Sequence, residues 1–496
     1  MKRFFLFLFV WSYGTLYAQT EASNWYFGNK AGIRFVNGKP EALTDGILNT
    51  TEGCATISDK NGNLLFYTDG KTIWNKNHQI MDSGLEGHES ATQSAIIVPK
   101  PGDSRIFYVF TVHIVDESKG LQYTTVDINK NNGLGGIREK NVSVLNFTDE
   151  KVTAVRHKNN KDVWVITHKW NSDEYYSYLL TKDGLSKTPV ISKIGLMHAS
   201  NADHSIGYLK ASPKGNKLAA AVKSLAKYEL FDFNNTTGKL SNFIELDASK
   251  STALTYGIEF SSDGSKLYCS AGSVNEIYQF DLKEQTPEKI KASRFLVGKT
   301  EGWTGALQLG SDGIIYVSPY SVEYLGVIKN PNKKGSECNF EEKAIHLKGT
   351  KTQLGLPTFM QTYFEETENL LKITTKDNKP VILGEAFTKD ILFDFDQFII
   401  KPAYFKELDD LAEYMKAVDN VNIDIVGHTD NEGTDQKNLL LSQNRAKALR
   451  DYLVRKGITP QRINHKGLGE TTPVAPNTTP EGRTLNRRIE FTLKKI

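Results

Sequence analysis

Gly427-His428-Thr429-Asp430 sets a carboxylate at the end of an alternating apolar run, and Arg445 follows fifteen residues later within Leu441-Ser442-Gln443-Asn444-Arg445-Ala446. Asn438 stands seven residues before Arg445, two helical turns, so an amide and a guanidinium share one helix face. A carboxylate at a strand end facing such a pair suits a zwitterion. Asp430 would accept from an ammonium, and Arg445 would grip a carboxylate through two parallel hydrogen bonds, a fork that lysine lacks. Each charge-assisted contact contributes about 1.5–3 kcal/mol, so two or three, less the cost of association, predict micromolar or weaker monovalent binding. A densely repeated ligand would restore grip by avidity. Binding of this kind requires no proton transfer, so His428 is read as a packing residue.

The elements that would hold these groups form an α/β sandwich. Ile391-Leu392-Phe393-Asp394-Phe395 reads as a strand. Pro402 opens a helix in which Tyr404, Leu408, Leu411 and Met415 recur every three or four residues. Val421, Ile423 and Ile425 alternate as a strand, and residues 436–456 read as a second helix with Gly457 as its stop. Strands follow at 463–468 and over Ile489, Phe491 and Leu493.

GHTDxxG, NxxLSxxRA, Gly467-Leu468-Gly469 and the ending Gly482-Arg483-Thr484-Leu485-Asn486-Arg487-Arg488 occur in that order. Together they resemble the OmpA-like peptidoglycan-binding domain over residues 383–496. The resemblance implies that Asp430 and Arg445 hold the diaminopimelate of the cell-wall stem peptide. Thr429, Asn438 and Arg487 match supporting positions, and Asp394 and Phe395 match the segment that lines the pocket with backbone groups. Arg483 and Arg488 are read as structural, and Glu432 as a solvated carboxylate beside the site.

Upstream, one phrase recurs: strand, polar turn with glycine, strand. Its clear copies centre on Gly62, Gly215, Gly264 and Gly313, the last three 49 residues apart, with weaker copies at Gly102 and Asn159-Asn160. A period near 50 with several strands per unit is a propeller signature. The region resembles the WD-repeat-like propellers of secreted and periplasmic proteins. Six units are complete. A seventh assembles from Leu356-Pro357-Thr358-Phe359-Met360 together with Trp25-Tyr26-Phe27 and Ile33-Arg34-Phe35, which predicts seven blades, with six or eight as alternatives. The expected architecture is therefore multidomain: an all-β propeller over 19–364, a linker over 365–382, and the α/β OmpA-like sandwich over 383–496.

Met1-Lys2-Arg3, the apolar run Phe4–Val10 and the small-residue end at Ala18 read as a secretory signal over 1–18. No later stretch reaches spanning length, so the mature chain is expected in the periplasm without a membrane anchor of its own, associated with outer membrane and wall through a partner. A formal net charge of +3 leaves no cationic excess to neutralise phosphates, so nucleic acid is not expected as a partner. Cys54, Cys269 and Cys338 lie far apart, which excludes a disulfide scaffold and CxxC zinc motifs. His88, His113, His157, His168, His198 and His204 show neither HxH nor HExxH spacing and are read as loop or core residues. No metal, cofactor or catalytic residue is predicted, and Trp25, Trp74, Trp164 and Trp170 are read as strand packing. The expected function is a non-enzymatic anchor that binds peptidoglycan through its C-terminal domain and an outer-membrane or periplasmic protein through its propeller. The architecture is similar to a cell-wall-tethering component of type IX secretion. The competing readings are a wall-targeted hydrolase and a carbohydrate sensor, both with the site in the propeller.

Overall fold

The computed structural model describes residues 20–36, 38–115, 119–248, 251–365, 386–389, 397–417 and 421–495. The expected signal at 1–18, residues 366–382 of the expected linker, and the strand expected at 391–395 lie outside them. The chain divides into two compact units, Met1–Glu365 and Glu366–Ile496. Among the described residues no helix is long and apolar enough to cross a membrane.

Among the described residues the first unit has seven small sheets, at 24–43, 55–83, 95–145, 148–198, 209–247, 255–299 and 304–346. The first has three strands, the fourth five and the others four, paired antiparallel and mostly in chain order. The repeated phrase is the hairpin that opens a sheet. Gly62, Gly215, Gly264 and Gly313 have φ of 80°, 65°, 71° and 77°. Each donates its N–H to the carbonyl three residues back, at 2.9, 2.8, 2.8 and 3.0 Å respectively. A left-handed residue closing a tight turn is what glycine permits at little steric cost.

The opening strand of each sheet packs against that of the next. One polar chain follows this stacking. Lys210, Glu259 and Gln308 occupy equivalent repeat positions, and Lys210 Nζ donates to Glu259 Oε2 (2.8 Å), the Leu307 carbonyl (2.9 Å) and Gln308 Oε1 (2.5 Å). The seventh sheet in turn lies against the first. The Trp25 ring sits edge-on to Tyr316 at 5.3 Å and to Phe35 at 5.4 Å between centroids. Trp25, Trp74 and Trp164 are buried, while Trp170 is half-buried.

Leu356–Met360 does not form the expected strand of the first sheet. Pro357 makes a single parallel bridge to Cys54, just before the second sheet, and Thr358 donates to the Cys54 carbonyl at 2.8 Å. Proline has no N–H to extend a ladder. The segment contributes instead by packing, with the Phe359 ring 5.8 Å from Trp25. All three cysteines are free and buried.

In the second unit the sheet order is Ala386–Lys389, Ile489–Lys495, Val421–Gly427, Ile463–Gly467. The last pair is parallel and the other two antiparallel. Val421, Ile423 and Ile425 are buried and alternate with half-buried Asn422, Asp424 and Val426, the pattern of a sheet with one covered face. Helices Phe405–Ala417 and Asp435–Arg455 supply Leu408, Leu411, Met415, Leu449 and Leu453 to this core.

Candidate functional site

The strand Val421–Gly427 delivers the motif to one end of the sheet, and two glycines let the long helix close over it. A Cβ on Gly427 would stand 2.3 Å from the Ser442 carbonyl oxygen, and one on Gly467 would stand 2.3 Å from Ser442 Oγ and Gln443 N. Ser442 Oγ accepts from Gly469 N at 2.9 Å, which the close approach makes possible. The loop after Gly427 is then fixed from both sides. His428 N donates to the Arg488 carbonyl (3.0 Å) and Thr429 N to that of Gly469 (2.9 Å). Thr434 caps Asp435–Arg455, its side chain accepting from Lys437 N.

Asp430 is only 7% exposed. Its Oδ2 accepts from Arg487 Nη1 at 2.6 Å, its Oδ1 from Glu432 N at 3.3 Å, and its main-chain oxygen from Asn438 Nδ2 at 3.2 Å. The guanidinium found on the carboxylate is thus that of Arg487, which also donates to Thr484 Oγ1 at 2.8 Å. The Arg445 side chain comes from the long helix, is 5% exposed, and donates from Nε to the Gln397 carbonyl at 3.0 Å. Asn438 and Arg445 are both buried on that helix. Thr429 is buried, and its Oγ1 makes no hydrogen bond among the described residues. Asp394 and Phe395 lie outside the described residues.

His428 is buried, with Nδ1 2.9 Å from Thr472 Oγ1 and Nε2 3.6 Å from Glu490 Oε2. Burial, aided by the charge of Arg488, holds its pKa below the ordinary histidine value. Arg488 pairs with Glu490 at 2.7 Å and donates to the Thr472 carbonyl. Arg483 pairs with Glu432 at 2.9 Å, so that carboxylate has a fixed partner although it is 57% exposed.

Two participants escaped the sequence reading. Glu470 Oε2 accepts from Asn438 Nδ2 at 2.6 Å and sets the orientation of the amide. It directly follows Gly467-Leu468-Gly469, a position that could have suggested it. Gln397 contributes only its carbonyl, which no side-chain pattern reveals. The arrangement joins a buried carboxylate to one surface guanidinium, that of Arg487, and to the Asn438 amide, fixed charges and directed hydrogen bonds suited to holding a charged ligand, while the Arg445 guanidinium lies deep on the same helix as Asn438.

Residues 392–487 match the OmpA family. Over 112 residues the chain is 43% identical to outer membrane protein A of Bordetella avium, covering 23% of this chain and 58% of that protein. It is 42% identical over 101 residues to the peptidoglycan-binding protein ArfA of Mycobacterium bovis, covering 20% of this chain and 31% of that one. The matched stretch is therefore little more than half of these relatives' length at most. The crystal structure of the peptidoglycan-associated lipoprotein from Burkholderia pseudomallei is 33% identical, covering 21% of this chain and 88% of that one at a TM-score of 0.21. The C-terminal unit of this chain carries an OmpA family domain.

Proposed function

We propose that this protein is a non-enzymatic anchor of the cell envelope, whose C-terminal unit holds the diaminopimelate-bearing stem peptide of peptidoglycan. The observation that carries the reading is the bonding of Asp430 to Asn438 and Arg487 beside the end of an OmpA family strand, with Arg445 buried on the helix that bears Asn438. Asp430 receives the ligand's ammonium and Arg445 its carboxylate, with Thr429, whose hydroxyl makes no hydrogen bond among the described residues, as a supporting contact. The named binding partner of ArfA agrees with this assignment. The protein works in the periplasm, against the outer membrane and wall.

The seven sheets of the first unit are the blades of a propeller. This is supported by the stacking of successive opening strands and by the Trp25–Tyr316 contact between the first and last sheets. The propeller engages an outer-membrane or periplasmic protein, as in a wall-tethering component of type IX secretion. One cavity of about 300 Å³, lined by Asn24, Tyr26, Arg34, Asp45, Lys76 and His78 among others, favours a second reading in which the first unit binds a small polar ligand such as a sugar.

The anchor reading is tested by co-sedimentation of the full chain with purified sacculi. Wild type should pellet, and Asp430→Ala and Arg445→Ala should remain in solution; equal pelleting of all three removes the pocket.

A further inference from the structure

Asp149, His168 and His198 are wholly buried and come from three strands of the fourth sheet, Thr148–Arg156, Val163–Lys169 and Val190–His198. Their spacings of 19 and 30 residues conceal the cluster from any short motif. Asp149 Oδ2 lies 2.5 Å from His198 Nδ1 and 3.1 Å from His168 Nδ1. The His168 contact is not aligned as a hydrogen bond. Both of its ring nitrogens, together with Asp149 Oδ1, are buried without a hydrogen-bond partner among the described residues. Buried polar atoms are rarely left so, and these three belong to two neighbouring side chains.

The opposite side of His198 is fixed. Its Nε2 lies 3.0 Å from Glu229 Oε2, and Glu229 also accepts from Tyr175 Oη (2.6 Å) and Leu196 N (2.6 Å). With Glu229 taking the Nε2 proton, Nδ1, which now contacts Asp149, can exchange that contact for a metal held by both side chains, the arrangement by which metal-bound histidines are oriented.

We propose that Asp149, His168 and His198 form a structural site for a divalent transition metal of the zinc class, with Glu229 as the positioning residue for His198. One carboxylate and two imidazoles are the donor types such an ion takes. The donor atoms already lie within 4.8 Å of one another. Ligands about 2.1 Å from a tetrahedral ion stand about 3.4 Å apart, so small side-chain rotations complete the site. Asp149 Oδ1 is available as a further oxygen. The opposing charge is Lys151, whose Nζ is 3.6 Å from Asp149 Oδ2. The carbonyls of Ser205 (2.8 Å), Ala221 (3.1 Å) and Ile206 (3.2 Å) hold that ammonium on its other side.

Because the site is sealed, loading accompanies folding. The full chain is denatured, stripped with chelator, and refolded with zinc alone or cobalt alone before gel filtration. We expect about one metal per chain by elemental analysis, visible absorption bands of four-coordinate cobalt, and a higher melting temperature than the metal-free control. His168→Ala, whose ring makes no hydrogen bond, should retain at least fivefold less metal. Wild type that refolds without retaining either ion overturns the proposal, as does a His168→Ala protein that retains as much as wild type. Should that variant fail to fold, the cobalt spectrum of wild type decides, since bands of six-coordinate aquated cobalt alone also overturn it.

Discussion

Arg487 Nη1 lies 2.6 Å from Asp430 Oδ2, and the two side chains differ sharply in exposure, 41% for the arginine and 9% for the aspartate. The carboxylate is held by its surroundings, whereas the guanidinium reaches it from the solvent side. On the proposed function, an incoming ammonium would share Asp430 with a guanidinium that approaches it from solvent.

This asymmetry separates two variants. Asp430→Asn removes the charge that an ammonium would meet and should weaken sacculus binding at least tenfold, since one charge-assisted bond is worth about 1.5–3 kcal/mol. Arg487→Met leaves the Asp430 charge in place and should weaken binding less. Both should alter the melting temperature little, because a pair with one exposed member contributes about 0–1 kcal/mol. Co-sedimentation at graded sacculus concentration, beside thermal melts, checks the order. If Arg487→Met lost more binding than Asp430→Asn, Arg487 rather than Asp430 would be the principal ligand contact.

The contact between the first and last sheets makes its own prediction. Trp25 is fully buried and its Nε1 donates to the Ala22 carbonyl at 2.9 Å. Trp25→Ala should cost about 3–5 kcal/mol, the range for emptying a large aromatic site. Because the ring packs on Tyr316, hydrogen exchange should accelerate in the seventh sheet, at Ile315–Pro319, as well as in the first. Exchange confined to residues 24–43 would show that the two ends do not support each other, and would count against a closed propeller.

Repeats and alternation made much of this molecule legible. The 49-residue spacing of turn glycines located the opening hairpins, because a left-handed turn demands a particular residue type. The same spacing relates Lys210, Glu259 and Gln308, although nothing in one copy announces that they hydrogen-bond across sheets. At the candidate site, the helix period put Asn438 and Arg445 on one face, and both are buried on the long helix. The resemblance gave Arg487 as a supporting position, but its direct pairing with Asp430 was not legible, since 57 residues separate the two and only the sheet order brings them together. The strand expected at Leu356–Met360 misled because its apolar content suits packing equally well, and Pro357 decides against a ladder.

Glu52 gives the first unit a pH dependence. It is 8% exposed, its Oε2 makes no hydrogen bond among the described residues, and burial, aided by the Glu150 charge, pushes its pKa from 4.5 to about 8. Between those values the folded chain holds a proton that the unfolded chain has lost, so raising the pH weakens folding. The contribution is favourable at the acid end of the window and falls by about 1.4 kcal/mol per pH unit until the folded pKa is passed. Glu52→Gln should flatten this slope and raise the melting temperature at pH 8 relative to wild type, with little difference at pH 5. Parallel slopes for the two proteins would assign the dependence to other groups.

The Lys210–Glu259 pair should behave as a unit. Both side chains are buried, and Glu259 also accepts from Leu309 N at 2.9 Å and Phe260 N at 2.9 Å. Lys210→Met leaves a buried carboxylate without its cation and should cost about 3–5 kcal/mol. Adding Glu259→Gln removes the stranded charge and keeps an acceptor oxygen for one of those two N–H groups, which sit on different carboxylate oxygens, so the double variant should recover part of the loss. Urea unfolding followed by tryptophan fluorescence reads this in the first unit, because no tryptophan lies beyond Trp303. A coupling energy near zero between the two substitutions would mean that the carbonyl of Leu307 and the amide of Gln308, rather than Glu259, hold the lysine where the sheets meet.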